Sequence, residues 1–161
     1  FTDLEPRSAG ASGDGYIWKY LFTIDPNSII KFDSTSFIPL PQNWLTNNDV
    51  AAVRNNASTS GQLKIVTITN RGVGYGTAAT YNNVPIKGDG SGGRCSVTVN
   101  AAGKIDSVEI TNGGSNYTFG TVGLGDVGLT NPSGSTDAAF NVIVPPQDGH
   151  GADIYLSLIH I

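Results

Sequence analysis

The sequence predicts a mainly β protein with very little helix. A two-copy β repeat forms a sandwich or barrel-like module, inserted into a second, discontinuous β-rich domain. Three observations predict this. Short runs rich in Val, Ile, Thr, Tyr and Phe recur along the 161 residues, separated by Gly, Pro, Asn and Asp, which is the pattern of strands and turns. Two segments, Gly61–Tyr75 and Gly103–Tyr117, match without a gap at an offset of 42 residues. Charged residues make up 14% of the chain and glycines number 21, against about 25% charged and about 7% glycine in ordinary domains. Low charge with abundant glycine favours many turns between short strands.

The first part of the outer domain spans residues 1–56. A polar lead, Ser8–Gly15, precedes Tyr16–Ile24, whose aromatic and β-branched residues read as a strand. Its alternation puts Trp18, Tyr20 and Phe22 on one face and Ile17, Lys19 and Leu21 on the other. Asp25-Pro26-Asn27 ends that strand with turn chemistry. Two short apolar stretches come next, Ile29–Phe32 and Phe37–Pro41, the second confined by its prolines to an edge or an extended segment. One short helix is predicted over Val50–Val53, capped by Asp49.

The inserted domain spans 57–144, with copies at about 61–99 and 103–144. Leu63 matches Ile105, Val66 matches Val108 and Ile68 matches Ile110, and both copies carry Thr-Asn-x-Gly-x-x-Tyr. Each copy reads as strand, glycine turn, strand, Gly-Asp loop, strand. One copy alone can hardly bury its apolar face, so the two pair into one module. From Pro145 the chain returns to the outer domain over 145–161 through the turn-rich Gln147–Asp153. Phe1 is not an initiator Met, and Leu156–Ile161 resembles translated sequencing-adapter read-through. The chain is therefore expected to be a fragment cut at both ends.

The net charge of −4 and nine scattered Lys and Arg argue against nucleic acid, which needs a basic stripe. No apolar run reaches membrane-spanning length. The single Cys95 gives no sign of an oxidising compartment. It reads as a small buried hydrophobe, since a nucleophile would need a histidine and the chain has only His150 and His160. Asp89 and Asp126 occupy equivalent Gly-Asp loops. One carboxylate per loop is too few for calcium, and paired-carboxylate hydrolysis needs the two to face across a cleft. The expectation is that each bonds its own turn. The glycine-rich Gly88–Gly93 precedes a strand, so it is a hairpin loop and not a phosphate cradle. Catalytic, cofactor and metal residues are therefore expected to be none. Trp18, Tyr20, Tyr75, Tyr117 and His150 remain as candidates for an interface or a ligand contact. Tyr75 and Tyr117 either pack back over their hairpins or stack sugars at the module rim.

Two parts of the chain carry a resemblance to a known family. Asp14–Ile24, Ile30–Phe32 and Phe37–Leu40, together with Pro145-Pro146 and Gly149–Asp153, resemble the baseplate wedge subunit of T-even-like contractile-tailed phages, especially the marine branch. The Thr-Asn-Gly-Gly-Ser-Asn-Tyr signature is similar to modules found across phage tail proteins and is the less specific half. The resemblance covers nearly the whole chain. It implies a β domain inserted into a discontinuous outer domain, no catalytic residues, and a virion protein assembled in the host cytoplasm. The implied partners are other wedge proteins and a second copy of the chain. After Asp153 the family implies an acidic, helix-like continuation, from which Leu156–Ile161 departs. The expected function is structural, by protein–protein assembly. Its rival is a carbohydrate-binding or adhesin module built on Tyr75 and Tyr117, with a glycan as partner. A β-stranded hydrolase built on Asp89 and Asp126 comes third.

Overall fold

The computed structural model describes residues 2–8, 16–32 and 39–153. The fold is mainly β, and the chain divides into two compact units. One comprises Phe1–Thr59 and Pro146–Ile161, the other Ser60–Pro145.

In the outer unit, β1 (Arg7–Ser8) pairs antiparallel with β2 (Ile17–Trp18). Among the described residues, the long aromatic strand expected over Tyr16–Ile24 forms a ladder at Ile17 and Trp18. Beyond it the Tyr20 amide donates to Asp3 O at 2.8 Å. Tyr20 and Phe22 then spend their rings on a small core around Trp44, Val50 and Val53.

Helix α1 (Pro26–Phe32) comes next, where the sequence predicted a turn at Asp25-Pro26-Asn27 and a short apolar stretch over Ile29–Phe32. Asp25 Oδ2 accepts from the Asn27 and Ser28 amides at 3.0 and 3.3 Å. Asp before Pro is an N-cap followed by a first-turn proline, so the same residues that end a strand also start a helix. Helix α2 (Ala51–Asn56) covers much of the predicted helix, but its N-cap is Val50 and no side chain caps it. Asp49 instead donates its amide to Asn47 Oδ1 at 2.7 Å. Arg54 ties the helix back to the preceding loop, donating to Trp44 O and Asn47 O at 2.8 and 3.0 Å. Phe37, Ile38 and Leu156–Ile161 lie outside the described residues.

The module contains six strands: β3 (Ile65–Arg71), β4 (Ala79–Gly88), β5 (Arg94–Val99), β6 (Ile105–Asn112), β7 (Gly120–Val122) and β8 (Ala138–Ile143). One antiparallel sheet runs β6-β5-β4-β7 and a second pairs β3 with β8. The sheets curl so that β3 lies beside β6 and β7 beside β8, giving a barrel-like sandwich. The second Gly-Asp loop is a single 3₁₀ turn, Leu124–Val127.

The core follows the repeat. Leu63 and its counterpart Ile105 are both fully buried, and Cys95, Val97 and Val99 alternate inward along β5. Val84, Ile86 and Val122 close the same cluster, with Val108, Ile110, Phe140 and Val142 packed around it. Burying a Leu, Ile or Val side chain contributes roughly 1.5–3 kcal/mol each, so this shared interior dominates the module's stability.

Candidate functional site

The repeat signature builds the same device twice. In copy one Asn70 Oδ1 accepts from the Gly72 amide at 2.9 Å, and in copy two Asn112 Oδ1 accepts from the Gly114 amide at 2.9 Å. This side-chain turn delivers each glycine at φ near +59° and +58°, where a side chain is strained. It also brings each tyrosine ring over the glycine. A Cβ on Gly72 would lie 2.6 Å from the Tyr75 ring, and one on Gly114 2.8 Å from the Tyr117 ring.

Both tyrosines are core residues, 5% and 3% exposed. The Tyr75 hydroxyl accepts from the Ala138 amide at 2.7 Å. The Tyr117 hydroxyl accepts from the Gly93 amide at 3.0 Å and donates to Ile86 O at 2.9 Å. Of the two alternatives read from the sequence, each ring packs back over its own hairpin and is not at the module rim. Burying a phenol is favourable when its hydroxyl finds partners, and here backbone from the opposite copy supplies them.

The carboxylates of the Gly-Asp loops have separate structural tasks. Asp89, exposed, bonds across to the other copy. Its Oδ2 accepts from the Thr118 hydroxyl at 2.6 Å and its Oδ1 from the Thr118 amide at 2.9 Å. These bonds hold its carboxyl at about 2, below the ordinary 3.8. Asp126 pairs with Lys87 Nζ at 2.7 Å. Cys95 is fully buried and burial pushes its thiol up to about 11, so it packs as a small hydrophobe. Among the described residues no group of three or more His, Cys, Asp or Glu is arranged to hold a metal.

The outer unit is organised by Trp44, which sequence reasoning missed. Its Nε1 donates to Asp148 O at 2.7 Å, and Phe22 meets it edge-on at 5.7 Å and 88°. A Cβ on Gly149 would lie 3.1 Å from its ring, and one on Gly151 closer still. The Gly-x-Gly around His150 is therefore a flat seat for an indole, and that pattern was the available signal for a large aromatic partner. His150 itself is half-buried between the two glycines. Beside Trp44 lies a cleft of about 430 Å³ lined by Leu40, Pro41, Asn43, Leu45, Thr46 and Ala152, among others.

Of the aromatic candidates, Tyr20 packs against the Trp44 cluster, and its hydroxyl bonds Thr23 Oγ1 at 2.7 Å. Trp18 is 48% exposed and stands edge-on to Tyr16 at 6.1 Å. With Ile17 exposed between them, Tyr16 and Trp18 leave an aromatic and aliphatic surface uncovered, and Ile29, Ile30, Leu40 and Leu45 are likewise exposed on this unit. The structure thus keeps Trp18 as a surface candidate and moves Tyr75 and Tyr117 inside.

No helix among the described residues is long and apolar enough to cross a membrane. No protein-family model matches the chain, and neither a curated protein nor a solved structure matches it significantly.

Proposed function

We propose that this protein is a structural component of a contractile phage tail baseplate wedge, acting by protein–protein assembly without catalysis. The observation that carries the assembly reading is the apolar surface of the outer unit, where Tyr16, Ile17, Trp18, Ile30 and Leu45 are about half or more exposed. Large exposed apolar groups in one compact unit mark surfaces that are covered in an assembly, and Trp and Tyr are the favoured anchors of such interfaces. The baseplate assignment rests on the resemblance of Asp14–Ile24, Ile30–Phe32, Phe37–Leu40, Pro145-Pro146 and Gly149–Asp153 to the wedge family. Of the carboxylates and thiol weighed for chemistry, Asp89 is bonded by Thr118, Asp126 pairs with Lys87 and Cys95 lies in the core.

The test is the oligomeric state of the purified protein by light scattering, alone and mixed with the other wedge proteins of its phage. A dimer or larger assembly, reduced by Trp18→Ser or Ile30→Lys, is expected. A protein that stays monomeric and binds none of those partners overturns the reading. The adhesin reading loses the observation behind it with the burial of Tyr75 and Tyr117.

A further inference from the structure

The two repeat copies contact each other through reciprocal exchange. Of the four ladders in the module, only β4–β5 lies within a copy; β3–β8, β5–β6 and β4–β7 each join one copy to the other. The first strand of each copy pairs with the third strand of the other. The three strands of the second copy form no ladder among themselves.

The bonds of the two repeat tyrosines obey the same rule. The Tyr117 amide donates to Gly61 O at 3.1 Å, and the Tyr75 amide donates to Gly103 O at 3.0 Å. The hydroxyl of Tyr75 takes the amide of Ala138, the first residue of β8. That of Tyr117 takes the amide of Gly93, the residue before β5. Each tyrosine thus fastens its own glycine turn to the start of the opposite copy's third strand. The covalent link between the copies is a short turn held by Asn100, with Ala101 and Ala102 exposed at its tip.

We infer that the module is a strand-exchanged dimer of repeats carried on one chain, with an interface that holds without the peptide link. The surface of each copy fits one kind of partner, a second copy of the same repeat. Three of the four ladders and the common core run between copies, and the link adds only the loop-closure entropy of a short exposed turn.

The test is a protease recognition sequence inserted between Ala101 and Ala102 of the full chain. The outer unit also draws on both fragments, because Trp44 lies in one and Asp148 to Gly151 in the other. The insertion is therefore made with Trp44→Ala as well. After complete cleavage the two fragments are expected to co-elute at the size of the uncut chain and to part only in denaturant. Fragments that separate or precipitate on cleavage overturn the inference. If the Trp44→Ala chain is unfolded before cleavage, the cut chain with native Trp44 is diluted instead, with and without Tyr117→Phe. A dissociation constant raised about tenfold or more by the lost hydroxyl supports a hold located between the copies, and an unchanged constant overturns it.

Discussion

The two units solve the problem of burying apolar surface in opposite ways. The module closes on itself: six strands, a core contributed by both copies, and hydroxyls that find backbone partners inside. The outer unit gathers a small core around one indole and leaves Tyr16, Ile17, Trp18, Ile30 and Leu45 outside. The difference teaches where each unit finds its stability. Duplication gives the module a complementary partner in its own chain, so little apolar surface is left over. The outer unit is not duplicated, and the rings of Tyr16 and Trp18, 67% and 48% exposed, are the surface expected to meet other molecules.

The sharpest way to break this comparison is at Trp44. Trp44→Ala removes the centre of the outer core and is expected to cost that unit about 3–5 kcal/mol. Two-transition thermal unfolding should show the outer transition lowered or lost while the module's stays. A uniform shift of both transitions would mean that the units do not fold separately.

A second, smaller effect belongs to the module. Tyr117→Phe strips partners from two buried backbone groups, the Gly93 amide and Ile86 O, and should cost about 1–3 kcal/mol in urea unfolding. Tyr75→Phe removes one bond and should cost less. Equal, negligible losses at both would remove the hydroxyls from the account of the repeat.

Surface changes on the outer unit are predicted to separate stability from association. Ile30, 84% exposed, changed to Lys should alter stability by no more than about 0.5 kcal/mol while weakening self-association in sedimentation. Loss of stability without loss of association would argue that Ile30 serves the fold.

The smallest effect is a matter of pH. Asp89 is held near 2 by Thr118, so its bonds contribute above its ordinary value of 3.8 and are lost as pH falls from about 4 to about 2. Melting temperature tracked over that window should fall less steeply in Asp89→Asn than in the natural chain.

Much of this was legible in the residues. The 42-residue offset, the matched apolar positions and the Thr-Asn-x-Gly-x-x-Tyr signature define two equivalent hairpins, and local chemistry builds both in the same way. Cys95 reads as core from its alternating strand, and it is core. Asp25-Pro26-Asn27 is ambiguous because Asp and Pro favour turns and helix starts alike. The residues on its C-terminal side decide between them, and here Ile29–Phe32 continue as helix. Trp44 went unnoticed because no neighbour in sequence announces it; its seat is Gly149 and Gly151, about a hundred residues away.

The sequence by itself determined the strand-and-turn grammar, the duplication and the positions that must be apolar, because these depend on backbone preferences and periodicity within a few residues. Only the tertiary structure decided that Tyr75 and Tyr117 turn inward, that each copy lends its first strand to the other's third, and that Trp18 stays outside. Those outcomes depend on partners far along the chain. A phenol stacks on solvent-exposed ligands or packs in a core with equal local geometry, and the choice falls to whichever distant amide its hydroxyl can reach.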